Sequence, residues 1–249
     1  MLKTRVIPCL TIKDGRLVKS VKFREHRNIG SYISSVRVFN ARDVDEMIFL
    51  DLDAYEKGMP VRLLEEVAKE CFMPLTLGGG VKTCKDIERI LKIGADKVAI
   101  NTAALEKPRF IQEASRMFGN QCVVVSVDVQ IKEGGYEVFG RGGTWATGRS
   151  PVEWVKEAED LGAGEILLTS IDRDGTMEGY DTALVKSVSE AVNVPVIACG
   201  GAGTLDHFVE VMKDGGASAV ACASIFQYTQ VTPQNVKEYL LKAGIETRI

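Results

Sequence analysis

Apolar residues fall along this chain in short, strand-length runs: residues 5–10, 46–51, 74–77, 97–101, 122–128, 165–169, 194–198 and 219–222. Between most of them, apolar positions recur at helical spacing, over residues 60–71, 85–93, 107–118, 150–161, 182–191 and 205–213. Strands that alternate with amphipathic helices predict the α/β class and a parallel sheet. Eight such units favour closure into a (β/α)8 barrel, with an open doubly wound sheet as the structural alternative.

An internal repeat favours the barrel. Asp51-Leu52-Asp53 precedes Gly78-Gly79-Gly80 at nearly the spacing that separates Asp172-Arg173-Asp174 from Gly200-Gly201-Ala202-Gly203. After the first glycine cluster comes Gly94-Ala95, a strand, and Asn101-Thr102. After the second comes Gly216-Ala217, a strand, and Ala223-Ser224. Two halves of roughly 120 residues therefore repeat one pattern, and two four-strand halves close into a TIM barrel with a pseudo-twofold axis. The expected organisation is one barrel domain over residues 1–249. Two long segments, residues 14–32 and 130–148, follow the first and fifth strands at matching places, where loops form lids or partner contacts.

Composition narrows the partners. The formal net charge is -3, with 31 Lys and Arg mixed among 34 Asp and Glu, which argues against a nucleic-acid stripe or a membrane-facing helix. No apolar run approaches transmembrane length. Residues 1–5 lead straight into a strand, leaving no room for a signal peptide, so a cytoplasmic location is expected. None of the six cysteines, 9, 71, 84, 122, 199 and 222, forms a Cys-x-x-Cys pair, and His26 and His207 are the only histidines. Reduced structural thiols are expected, with no metal and no cofactor.

Glycine turns after strands aim backbone N–H groups at a site where an anion can lie. A single cluster is equally a tight turn. Two clusters at equivalent barrel positions, each followed one strand later by a small polar loop, point to a ligand with a phosphate at each end. Gly79, Gly80, Asn101 and Thr102 form one candidate cradle; Gly175, Gly201, Gly203, Ala223 and Ser224 form the other. Asp128 ends an apolar strand where a barrel presents reactive groups, and a carboxyl there suits acid–base work, the plainer reading being a strand-end cap. Aligning the halves sets Thr11 against it, and a hydroxyl cannot serve as a carboxylate base near neutral pH. Lys19 follows a predicted Asp14-Gly15 hairpin turn, as an anion contact or a solvated loop lysine. Asp174 is a further candidate acid or hydrogen-bond acceptor. At the opposite mouth Arg5, Glu46, Lys97 and Glu165 begin strands and form a mutually satisfied plug, or a gate.

Taken together, Pro8-Cys9-Leu10, Lys13-Asp14-Gly15-Arg16, Leu77-Gly78-Gly79-Gly80, Gly94-Ala95-Asp96-Lys97-Val98, the stretch Gly162 to Ser170, Asp172-Arg173-Asp174-Gly175-Thr176 and Gly200-Gly201-Ala202-Gly203 resemble the cyclase subunit of imidazole glycerol phosphate synthase. The resemblance runs over nearly the whole chain. It implies a glutaminase subunit docked at the N-terminal face, which sends ammonia through a gated barrel to a bisphosphorylated ligand. It places the gate at Arg5, Glu46, Lys97 and Glu165, a catalytic aspartate at Asp128 and the loop lysine at Lys19. The family's second catalytic aspartate falls at position 11, where this chain has Thr11. That departure, with the second long loop and Asp51-Leu52-Asp53-Ala54, looks like a divergent branch associated with surface-polysaccharide genes. In that branch a glutaminase and a further amidotransferase place nitrogen on a sugar. The histidine-pathway cyclase itself, a phosphosugar isomerase of the same half-barrel ancestry and a non-catalytic ammonia conduit are the alternatives. The chain lacks the Cys–His–carboxylate set that glutamine hydrolysis needs, so ammonia must come from another polypeptide.

Overall fold

The computed structural model describes residues 3–42 and 44–248. Its strands are β1 (Arg5–Lys13), β2 (Arg16–Val21), β3 (Arg24–Gly30), β4 (Met47–Asp51), β5 (Leu75–Gly78) and β6 (Lys97–Ile100) in the first half. The second half carries β7 (Val123–Lys132), β8 (Gly135–Gly140), β9 (Trp145–Ala146), β10 (Glu165–Ser170), β11 (Val196–Cys199) and β12 (Ala219–Cys222). Helices α1 (Tyr32–Ala41), α2 (Ala54–Lys57), α3 (Val61–Glu70), α4 (Cys84–Lys92), α5 (Thr102–Glu106) and α6 (Arg109–Phe118) alternate with the first set. Helices α7 (Pro151–Asp160), α8 (Thr182–Ser189), α9 (Leu205–Lys213), α10 (Ser224–Tyr228) and α11 (Pro233–Lys242) follow in the second.

Eight strands close a parallel ring. β1 pairs with β4, and the ladder continues through β5, β6, β7, β10, β11 and β12 back to β1. The open-sheet alternative is thereby excluded. All eight predicted strands are present, but β1 and β7 run further than their apolar stretches. Each continues into an antiparallel partner, β1 with β2 and β7 with β8, which supplies ladder hydrogen bonds beyond the barrel rim. The two segments read as loops are thus hairpins.

Each barrel strand is buried on both sides, so two apolar layers form. Ile7, Cys9, Ile48, Ala99, Val124, Leu167, Ile197, Ala219 and Ala221 point inward and fill the barrel. The larger layer lies between strands and helices, where Leu64, Ile87, Ile90, Phe110, Trp154 and Phe208 pack against the outer faces of the strands. Helix α4 shows why these helices start where they do. Thr83 Oγ1 accepts from the Asp86 amide at 3.3 Å, and the Asp86 carboxylate accepts from the Thr83 amide at 2.8 Å. That capping box starts the helix and turns Ile87 and Ile90 onto the barrel. At the base, α11 is fastened by a buried ion pair between Lys237 and Asp45 at 2.8 Å, and Asp45 also accepts from the Val6 amide.

The Asp14–Gly15 hairpin turn lies where the sequence predicts it, both residues having positive φ. At the other end of the same hairpin, Lys22 and Phe23 form a second two-residue turn between Val21 and Arg24, with φ of 54° and 59°. Neither is the Gly or Asn that such a turn prefers. The tip is held from outside: the Lys22 amide donates to the Asp174 carbonyl at 2.8 Å, and Ser20 Oγ donates to the Asp174 carboxylate at 3.1 Å. A hairpin from one half is therefore pinned to a strand end of the other.

Candidate active site at the carboxyl ends of the strands

A cavity of about 420 Å³ opens at the carboxyl ends of the barrel strands, beneath the two hairpins. Asp128, Thr11, Lys19 and Asp174 all line it. So do Gly79, Gly80, Asn101 and Thr102 on one side, and Gly175, Gly201, Ala223 and Ser224 on the other. The two glycine corners thus face one chamber.

Gly79 and Gly201, both with φ of +110°, hold those corners. A Cβ on Gly79 would lie 2.3 Å from the Asp51 carbonyl, and one on Gly201 would lie 2.1 Å from the Gly179 carbonyl. No side chain fits at either place, so the backbone is left bare toward the cavity.

Gly203 stands apart from the cradle to which its sequence assigns it. It does not line the cavity, and its amide donates to His207 Nδ1 at 3.2 Å. Thr204 and His207 cap α9 as Thr83 and Asp86 cap α4. Registering the halves on Thr83 and Thr204 sets Gly80 against Gly201 and Lys82 against Gly203. The Lys82 amide is likewise spent on the cap, donating to Asp86 at 3.1 Å. In both halves the amide at that position donates to the cap of the following helix.

Asp128 sits at the C-terminal part of β7 and is buried. Its Oδ2 accepts from Asn101 Nδ2 at 2.7 Å, which fixes the carboxyl toward the first cradle. Burial, then the charge of Asp174, push its pKa up to about 7, against the opposing pull of Asn101 and Thr169. A carboxyl that can both give and take a proton near neutrality is what acid–base chemistry requires. Asp174 is also raised by burial, opposed by the Lys19 ammonium, Ser20 and the Phe23 amide. Its carboxylate is therefore engaged mainly by the first hairpin.

Lys19 is not a solvated loop lysine: it is only 8% exposed, with Nζ 3.4 Å from the Cys9 carbonyl inside the chamber. Thr11 spends its hydroxyl on the hairpin, donating to the Val18 carbonyl at 2.9 Å. Thr102 Oγ1 accepts from the Arg141 amide at 3.0 Å, tying the second hairpin to the first cradle. Arg141 itself lines the cavity. Its guanidinium pairs with Glu106 at 2.8 Å and lies over the Tyr55 and Trp145 rings.

Asp51 and Asp53 also line the chamber, although only their motif, not a role, was readable in sequence. Asp51 accepts from the Asp53 and Ala54 amides at 3.1 Å each. Burial, then the hydrogen-bonded Asp53 carboxyl, hold its pKa up. Despite burial, Lys57 and Asp51 hold Asp53 low.

At the opposite mouth the four charged residues meet. Arg5 pairs with Glu46 at 2.7 Å and with Glu165 at 2.9 Å, and Lys97 pairs with the same two acids at 3.0 and 2.8 Å. Each cation is shared by both acids, which closes a ring. Among the described residues, no group of three or more metal-ligating side chains is placed to hold an ion, and no helix is long and apolar enough to cross a membrane.

A closed parallel barrel with its polar chamber at the strand carboxyl ends has the architecture of a (β/α)8 enzyme. A family model described as "Histidine biosynthesis protein" matches residues 5–232. The chain belongs to that family, whose members are isomerases and cyclases.

Proposed function

We propose that this chain is the ammonia-accepting, synthase-type subunit of a glutamine amidotransferase, with its glutaminase docked on the N-terminal face of the barrel. The observation that carries this reading is the ion ring at that face. Four charges close the mouth farthest from the reactive chamber, and the interior between is an apolar layer of Ile7, Ile48, Val124 and Leu167. Neutral ammonia can cross such an interior, whereas ammonium would have to shed its water without compensation. The chamber at the other end offers Asp128 for proton transfer and two glycine corners for a ligand phosphorylated at both ends.

The acceptor we favour is a surface-polysaccharide sugar, reached through a further amidotransferase as in the divergent branch. Support comes from Thr11, whose hydroxyl is bound into the hairpin and cannot act as the missing base. The second reading is the histidine-pathway cyclase itself, which would release imidazole glycerol phosphate and aminoimidazole carboxamide ribotide; Asp128 favours it.

Glutamate release by the cognate glutaminase, measured with and without this chain, tests the shared reading. Stimulation by an order of magnitude or more is expected; an unchanged rate, with no co-purification, overturns it. Thr11→Asp separates the two acceptors. Under the favoured reading the substitution brings no ammonium-dependent cyclisation of the ribulosyl bisphosphate substrate of the cyclase. A gain on the order of 10²-fold or more, the scale of one acid–base group, would instead identify an old cyclase site.

A further inference from the structure

We infer that His26 is a ligand-facing acid–base group of the chamber, set on the side where position 11 has no carboxyl. This rests on the bisphosphate-binding reading above. His26 belongs to β3, where Glu25 and Arg27 on either side are exposed while His26 is turned inward and lines the cavity. Glu25 has a positive φ of 50° and the β2–β3 pairing is irregular, so the strand departs from simple alternation, with His26 and Ile29 its less exposed positions. Its Nδ1 is buried and has no hydrogen-bond partner. A buried polar atom with no partner is costly in a purely structural side chain, and the cost is recovered when a ligand supplies the missing bond.

The chemistry matches the vacancy at Thr11. Charged groups facing His26 are Lys13 of β1 and Asp53 at the start of α2. Burial first, then Lys13, lower its pKa, with Asp53 opposing, which favours the neutral ring. A neutral imidazole takes a proton at its free nitrogen and returns it, work that the Thr11 hydroxyl cannot do. Asp128 on β7 and His26 on β3 then serve the ligand from different halves.

The test is an NMR titration of the full-length chain with ribulose 1,5-bisphosphate as probe, following the two histidine rings and the Gly80 and Gly201 amides. Binding is expected to move both amides and the His26 ring, leaving His207 still. The probe's negative charge should raise the His26 midpoint by about one pH unit, so that probe affinity falls tenfold as pH rises through that window. His26→Gln should remove this tenfold step, leaving only the dependence from Asp128 near pH 7, while the amides still respond; His26→Asn provides a second variant. If the amides move but the His26 ring and its midpoint do not, the inference falls alone. If the amides themselves stay unmoved, the bisphosphate reading falls and takes the inference with it.

Discussion

On the proposed function, Asp128→Asn is expected to lower an ammonia-dependent rate by about 10²- to 10⁴-fold while raising the chain's stability at alkaline pH. Both effects have one origin. In the folded chain the Asp128 carboxyl titrates near 7, well above its ordinary value of 3.8, because burial and Asp174 disfavour the anion. Between those two values the folded state binds more protons than the unfolded one, so stability falls as pH rises through the window. At pH 8 this one group costs on the order of 4 kcal/mol relative to pH 4. Asparagine keeps an acceptor for Asn101 and carries no charge. Denaturant unfolding of the two forms at pH 4 and pH 8 measures the difference: near equality is expected at pH 4, and a clear advantage for the variant at pH 8. A variant no more stable at pH 8 would mean that Asp128 is solvated and unsuited to the role assigned.

Lys97→Met is expected to destabilise the chain by about 3–5 kcal/mol, because Glu46 and Glu165 then share only Arg5 within a largely buried ring. The double variant Lys97→Met with Glu165→Gln should recover much of that loss, since one uncompensated charge is removed with its partner. The same single substitution opens the ring, so on the proposed function glutamate release should outrun product formation in a complex with a glutaminase. Unaltered one-to-one coupling would show that the ring is only a plug.

The barrel was legible because each strand is a short run apolar at nearly every position, as a strand covered on both faces must be. The ring was legible for a related reason: Arg5, Lys97 and Glu165 stand at the first position of such runs, and Glu46 stands just before one. The hairpins were not. Strand β3 reads Arg-Glu-His-Arg-Asn-Ile-Gly, almost without apolar alternation, and the Lys22–Phe23 turn lacks the residues that announce one. Their pairing is stabilised by contacts far off in sequence, with Asp174 above all. For the same reason His26 and the buried state of Lys19 could not be inferred from neighbours in the chain. The engagement of the Gly203 amide was not legible because a glycine does not reveal whether its amide is free; its partner, His207, lies in the following helix and doubles as the cap. Asp51 and Asp53 were visible as a motif, but the raised pKa of Asp51 depends on burial that only the fold supplies.

Binding of a ligand phosphorylated at both ends rests on two glycine corners that line one chamber above a closed barrel. Diffraction from crystals soaked in phosphate or sulfate tests it most directly. Two tetrahedral peaks are expected in the chamber, one against Gly79, Gly80, Asn101 and Thr102, the other against Gly175, Gly201, Ala223 and Ser224. Density that leaves both glycine corners empty would contradict it.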